Sequence, residues 1–365
     1  MTQNNPFEAV RNIVVIKLRH IGDVLLTVPV FRALREHFPE ARIAALVNSG
    51  TEEVITGNPL VDEIVLFDRT IKRRNPAQRY LCELSFLRQL RQHHFDMSVS
   101  LTSGDRSAVI AYFSGARYRL AYDPGRKGLF GKRYLYTHLA KLRKRGQHSV
   151  IKNLDVIAQF GISTDDLSVD FHIPEEARTS IGRILAERGV SETDRIVHVH
   201  PTSRWLFKCW KDSFMAEVIR WLTDRGMKVI VTSSPDKGEL ERVKAILSLC
   251  NLKEKLSQNH LVDLSGKITI KQLAAVTQRS VLFFGVDTAP MHIAAAVGTP
   301  VVALFGAGQQ NWRPWGEGHC IISSESLPRQ SLGREEWVKR NLERITPQDV
   351  VAELERRLSL TQGES

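Results

Sequence analysis

The chain has 365 residues, 42% hydrophobic and 25% charged, the make-up of a soluble globular protein with length for two separate cores. No apolar run approaches the roughly 20 residues that span a bilayer, and MTQNNPFEAVRN holds no apolar signal core, so we expect a cytosolic protein. Cys82, Cys209, Cys250 and Cys320 stand apart without CxxC spacing, which argues against a disulfide framework or zinc site, while the net charge of +11 asks for nucleic acid, an anionic membrane, a phosphorylated substrate or a plainly solvated surface.

Residues 13–18 (IVVIKL) read as a buried first strand, and RHIGD, residues 19–23, as the loop at its carboxyl end. Residues 24–38 show helical periodicity, with Pro29 inside the run as a kink or delayed start. The loop has no GxGxxG, and no Walker A stands elsewhere, which weakens dehydrogenase and phosphate-loop ATPase readings. Further strands are expected at 41–47, 63–67, 95–101 and 116–121, with helices at 80–93, 106–113 and 148–160. A basic cluster lies at Arg69, Lys72, Arg73, Arg74 and Arg79. From Arg117 to Arg145 there are ten Lys or Arg against one acid, Asp123, interleaved with Tyr122, Phe130, Tyr134 and Tyr136. Such a segment suits nucleic acid, an anionic leaflet or a mobile solvated loop, but no RNA- or DNA-binding motif accompanies it.

Residues 170–173 read as a strand, and 174–193 as the helical passage into a second domain. There RIVHVH, residues 195–200, is the first strand. His198 and His200 share one face of it; with no third ligand in pattern, buried and satisfied histidines fit better than a metal pair. Strands follow at 228–232 and 261–264, and helices at 212–221, 270–280, 337–342 and 346–358. The densest signal is VLFFGVDTAPMHIAAAVGTPVVALFG, residues 281–306. It reads as strand, short helix, strand: Asp287 and Thr288 are good N-cap residues, Pro290 suits the first helical turn, and Gly298 the C-terminal stop. Ligands of such units bind beyond the strands' carboxyl ends, and the N–H groups at Thr288–Ala289 would favour an anion.

Three stretches carry a resemblance: GVDTAPMHIAAAVGTPVVALFG, IKLRHIGDVLLTVPVFRALREHFP and HPTSRWLFKCW. In this order they resemble the lipopolysaccharide heptosyltransferases of glycosyltransferase family 9. KLRHIGDVLLT and HPTSRWLFKCW are most similar to the branch called heptosyltransferase III. Trp205-Leu206-Phe207 is apolar where many relatives outside that branch are more polar. The resemblance implies an α/β protein of GT-B type, with two Rossmann-like domains facing across a cleft. The expected bounds are 1–180 for acceptor binding, 181–345 for nucleotide-sugar binding, and a helix over 346–365 returning to the first domain. It implies inverting, metal-independent transfer from ADP-L-glycero-β-D-manno-heptose to a heptose of the lipid A-linked lipopolysaccharide inner core, on the cytoplasmic face of the inner membrane. No cofactor and no nucleic acid are expected.

By the resemblance Asp23 is the catalytic base, and Thr202, Ser203 and Lys208 hold the donor diphosphate, Lys208 also serving the leaving group. Glu239 or Asp236 meets the ribose, and the sequence does not choose between them. Asp287, Thr288, Ala289 and His292 complete the donor site; Asp287 is expected to cap the helix and bind sugar hydroxyls, and no residue to bind metal. The plain alternatives are a helix-capping Asp23, a surface Lys208 and a packed His292. Heptosyltransferases I and II act earlier on the same core and stay open as functions. So do another nucleotide-sugar enzyme, such as an epimerase, and a non-catalytic binder of anionic surfaces or nucleic acid.

Overall fold

In a computed structural model we describe residues 7, 9–73, 75–125, 128–142, 146–250, 260–306, 310–324 and 332–360. Arg74, Arg126, Lys127 and the 143–145 triplet of the basic segments lie outside them, as do the side chains of Lys72 and Arg73. The chain divides into two compact units, Met1–His172 and Ile173–Ser365.

The first unit is built on a parallel six-stranded sheet: β1 (Asn12–Lys17), β2 (Arg42–Asn48), β3 (Glu63–Phe67), β4 (Met97–Ser100), β5 (Tyr118–Tyr122) and β6 (His138–Ala140). Its order is β3-β2-β1-β4-β5-β6. β1 is central and, Asn12 apart, buried along its length, as its unbroken apolar run requires of a strand covered on both faces. Two helices follow it where one was expected, α1 (Ile21–Leu25) and α2 (Val28–His37). Pro29 is the reason: it occupies the first turn of α2, where a missing N–H costs nothing, so the chain restarts at Thr27. Helices α3 (Pro76–Gln92), α4 (Asp105–Phe113) and α5 (Ser149–Ala158) complete the unit.

Residues 170–173 form no strand and join neither sheet. Val169, Phe171 and Ile173 are buried and Asp170 and His172 exposed, so the period-2 pattern is present without a ladder partner. Asp170 is fixed instead by an ion pair with Arg32 of α2.

The second unit repeats the plan with β7 (Ile196–His200), β8 (Lys228–Val231), β9 (Leu261–Asp263), β10 (Leu282–Val286), β11 (Val301–Phe305) and β12 (Cys320–Ser323), in the order β12-β11-β10-β7-β8-β9. Its helices are α6 (Glu175–Glu187), α7 (Asp212–Asp224), α8 (Lys237–Cys250), α9 (Ile270–Arg279), α10 (Ala289–Ala296), α11 (Arg334–Leu342) and α12 (Pro347–Leu360). The unit begins somewhat before the expected residue 181, because α6 packs on α9, with Gln272 Nε2 donating to Ser180 Oγ at 2.8 Å. The final helix contributes to this unit's core. Val350, Leu354 and Leu358 of α12 lie in the second unit's own core with Met215, Ile219 and Leu222 of α7, and the buried Trp210 indole ties the turn before it, donating to the Ile345 carbonyl at 3.1 Å.

Within each unit, the sheet has the doubly wound order in which the first and fourth strands are neighbours and the winding reverses between them. The switch points therefore fall at the carboxyl ends of β1 and β4 in the first unit, and of β7 and β10 in the second. No helix among the described residues is long and apolar enough to cross a membrane.

Candidate functional site

At the first switch point α1 begins directly after the β1 loop and carries Asp23 in its first turn. Asp23 is half-buried. Its Oδ2 accepts the backbone N–H of His20 at 3.4 Å; this long bond is the helix-capping role of the plain alternative, and it leaves the carboxylate with acceptor capacity to spare. The loop is tied from three sides. Asn48 Nδ2 at the end of β2 donates to the Arg19 carbonyl at 3.0 Å, Thr102 Oγ1 after β4 accepts the Leu18 N–H at 3.1 Å, and Asn153 of α5 donates to the Leu26 carbonyl at 3.0 Å.

At the second switch point the loops after β7 and β10 meet. Lys208, in a short 3-10 turn (Leu206–Lys208), places Nζ 2.7 Å from Asp287 Oδ2 and 3.5 Å from the Asp287 carbonyl. Both side chains are mostly buried, 20% and 15% exposed, and line a recess with Leu304, Phe305 and Gly306. Asp287 does not cap α10. That position falls to Thr288, in an extended conformation, whose hydroxyl donates to the Val286 carbonyl at 3.3 Å instead of bonding the helix. The Asp287 carboxylate is engaged instead by the ammonium of Lys208, in a charge-assisted bond. The Thr288 and Ala289 N–H groups are left at the helix start with no intrahelical partner. His292 is buried within α10.

Two of the hydroxyl candidates are engaged. Thr202, fully buried, donates to Glu239 Oε2 at 2.8 Å, and Ser234 donates to Glu239 Oε1. Ser203 Oγ accepts the Trp205 N–H at 3.2 Å and so shapes the turn that delivers Lys208. Between the two acids the sequence left open, Asp236 caps α8, accepting the Gly238 and Glu239 N–H groups at 2.9 and 3.4 Å, while Glu239 is the buried one on the Thr202 side. Thr202, Ser203, Lys208, Asp287, Thr288 and Ala289 thus gather at one sheet end, with Glu239 joined through Thr202.

The histidine pair beside them is structural. His198 Nδ1 lies 2.8 Å from Thr277 Oγ1 and its Nε2 2.7 Å from Thr232 Oγ1, and His200 Nδ1 is 2.8 Å from the same Thr232 hydroxyl. Burial drives both imidazoles toward the neutral form, His198 well below its usual value and His200 to about 4. Among the described residues no group of three or more His, Cys, Asp and Glu is arranged to hold a metal ion.

One group at the first switch point escaped the sequence reading. Lys17, last in β1, is 6% exposed. A lysine closing an otherwise apolar strand was the available signal; its partner Asn153, deep in α5, gave none.

The geometry is that of two doubly wound parallel sheets, each with a polar constellation at its switch point, and known proteins share the fold. The family model for glycosyltransferase family 9 (heptosyltransferase) matches residues 83–340. Lipopolysaccharide heptosyltransferase 3 of Escherichia coli K12 is 33% identical over 348 residues, 93% of this chain and 96% of its own. Among solved structures, the family 9 glycosyl transferase of Veillonella parvula aligns with a TM-score of 0.79 at 22% identity, covering 95% of this chain and 97% of that one. The Escherichia coli heptosyltransferase WaaC with ADP-2-deoxy-2-fluoro heptose aligns with a TM-score of 0.73 at 18% identity, covering 94% and 99%. These likenesses give the GT-B fold class expected from the sequence. A family model matching residues 83–340 and a 33% identical relative covering 93% of the chain make this protein a glycosyltransferase, a member of glycosyltransferase family 9, the heptosyltransferases.

Proposed function

We propose that the chain transfers L-glycero-D-manno-heptose from ADP-L-glycero-β-D-manno-heptose to a heptose of the lipopolysaccharide inner core, with inversion and without a metal, as a heptosyltransferase of type III. The observation that carries the reading is the Lys208–Asp287 pair beside the open amino end of α10. It offers a leaving diphosphate one ammonium and two backbone N–H groups, which supply positive charge where negative charge develops. Lys208 keeps donor capacity beyond its bonds to Asp287, and Asp287 fixes the ammonium and is free to meet sugar hydroxyls with its second oxygen. Glu239 and His292 are assigned to the nucleoside side, and Thr202 and Ser203 to holding the loop around the diphosphate.

Asp23 is the general base. It takes the proton of the acceptor hydroxyl as that oxygen bonds to the anomeric carbon; the bond from that carbon to the phosphate oxygen breaks, and ADP leaves with the electron pair. In-line attack opposite the leaving group inverts the centre.

The acceptor is anchored by lipid A, so we assign the protein to the cytoplasmic face of the inner membrane. Leu129, Phe130 and Tyr134 are 53%, 101% and 80% exposed beside Arg133. Their loop is pinned at its base, where Asp105 Oδ1 accepts the Leu129 N–H at 3.1 Å and pairs with the buried Lys132 at 3.0 Å. An apolar tip presented on a fixed base next to cationic side chains suits an anionic leaflet.

The deciding experiment is transfer from ADP-heptose to a truncated lipopolysaccharide carrying two heptoses, in EDTA. Transfer by wild type, abolished in Asp23→Ala with ADP-heptose binding retained, is the expected result. Activity only on an acceptor with one heptose or none would leave the reaction class and overturn the branch. Inertness on all of them, with no ADP-heptose binding, would overturn the reading.

A further inference from the structure

Lys17 is a buried cation for which the proposed chemistry gives no use. Among the described residues no carboxylate makes a direct ion pair with it. Its Nζ donates to Asn153 Oδ1 at 2.9 Å and to the Leu101 carbonyl at 3.4 Å, both neutral. A buried ammonium with only neutral acceptors is costly, and a methionine would fill the same space without that cost. The surroundings indicate what it serves. Asn153, 5% exposed, spends its other side-chain group on the Leu26 carbonyl at 3.0 Å. Leu26 closes α1, its own N–H returning to the Gly22 carbonyl at 3.1 Å. The path Lys17–Asn153–Leu26 therefore joins the end of β1 to the far end of the five-residue helix that carries Asp23.

We propose that Lys17 and Asn153 form a buried strap that positions Asp23, and that the strap works only while Lys17 carries its proton. The inference rests on the reading of Asp23 as the base. A charged Lys17 holds Asn153 in the orientation that restrains α1 and keeps a fixed positive charge near the Asp23 carboxylate. A neutral amine donates to Asn153 only weakly and carries no charge.

Every charged group acting on Lys17 is identifiable. Burial is the largest influence and disfavours the cation; Asp23 on α1 favours it; Arg19 in the β1 loop and Lys152 on α5 oppose it. Together they bring Lys17 down to about 8, inside the range where an enzyme can be assayed. Turnover should therefore fall on the alkaline side near pH 8.

The test is the pH dependence of kcat on the two-heptose acceptor for wild type, Lys17→Arg, Lys17→Met and Asn153→Leu, with KM for ADP-heptose measured in parallel. In Lys17→Arg, whose guanidinium does not titrate, the alkaline fall near pH 8 should vanish. In Asn153→Leu the ammonium loses an acceptor, so the fall should move to lower pH. Lys17→Met should lose at least tenfold in kcat at pH 7 with KM for the donor unchanged, since the donor residues lie on the second unit. Circular dichroism and ADP binding show whether each variant is folded, and Lys17→Arg keeps the charge should Lys17→Met misfold. An alkaline limb that stays in place in Lys17→Arg and Asn153→Leu overturns the strap. Asp23→Asn separates this from the underlying reading: if it turns over normally, Asp23 is not the base and the strap falls with it; if it is inactive while the limb does not move, the strap alone is wrong.

Discussion

Lys208 Nζ and Asp287 Oδ2 lie 2.7 Å apart although 79 positions separate them in the chain. They come from loops after two neighbouring parallel strands, β7 and β10, whose register pairs His200 with Gly285. Each holds the other in a mostly desolvated setting, where removing one partner leaves a buried charge uncompensated. Lys208→Ala is expected to lower kcat by about 10²- to 10³-fold, the usual effect of deleting a group that stabilises developing charge, and to weaken ADP binding. Asp287→Ala should also weaken ADP-heptose binding, and the double variant should be less impaired than the two losses added, with a coupling of about 0.5–3 kcal/mol. Isothermal titration with ADP and with ADP-heptose measures both. Additive losses would mean that the pair does not act as a unit.

The close approach of β7 and β10 depends on glycine. A Cβ on Gly285 would stand 2.6 Å from the His200 carbonyl oxygen, and one on Gly306 would stand 2.2 Å from that of Val338. Both obstacles are backbone and cannot swing aside. Gly285→Ala and Gly306→Ala should each destabilise by about 1–3 kcal/mol, the range for overpacking, read as a lower urea midpoint. Gly182 is the contrast. It is exposed in α6, and a methyl group there would meet nothing within 4 Å, so Gly182→Ala should raise the midpoint, by about 0.5–1 kcal/mol.

The pieces of the site that the sequence made visible are those whose chemistry is local. Thr288 before Ala-Pro marks a helix start, Asp23 stands in the turn after an apolar strand, and Lys208 follows HPTSR at the end of another. What stayed hidden depends on distant partners. Asp287 looked like a cap until Lys208 claimed it, and the partners of Thr202 and Ser203, Glu239 and the Trp205 N–H, left no mark in the sequence. β6 and β12 are three and four residues long, too short for a periodic signal. The 170–173 segment had the alternation of a strand, but alternation reports one buried face and not a ladder partner. The last helix was legible as a helix. Which core its Val350–Leu354–Leu358 stripe enters is a property of the packed unit.

His198 and His200 make stability depend on pH. Burial keeps both neutral in the folded state, with His200 at about 4 against its ordinary 6.5. The unfolded chain binds protons that the folded one refuses, so their contribution is whole above pH 6.5 and is lost as pH falls from 6.5 toward 4. At 1.36 kcal/mol per unit, His200 alone accounts for a loss on the order of 3 kcal/mol. Chemical denaturation at pH 7 and pH 5 should show about 2 kcal/mol of this loss from His200, and His200→Leu should flatten it. Thr232→Val, which removes the hydroxyl shared by both rings, should destabilise at both pH values without flattening it.

The tip formed by Leu129, Phe130 and Tyr134 makes the membrane assignment testable apart from catalysis. Fixing a fully exposed Phe on a pinned turn has no benefit in water, where a polar residue would serve equally. Transferring such a side chain into an apolar phase contributes about 1.5–3 kcal/mol, one to two decades of affinity for Phe130 alone. Phe130→Ser should therefore weaken sedimentation with vesicles of phosphatidylethanolamine and phosphatidylglycerol by at least tenfold, and adding Leu129→Ser and Tyr134→Ser should remove it. Arg133→Ala should act differently, weakening binding mainly at low salt and only on vesicles containing the anionic lipid, since its attraction is screened within about 10 Å at 0.1 M salt. Transfer to a delipidated, soluble core oligosaccharide should persist in all of these variants. If they bind vesicles as wild type does, the tip meets something other than the bilayer. If they lose transfer to the soluble acceptor as well, it belongs to the acceptor site.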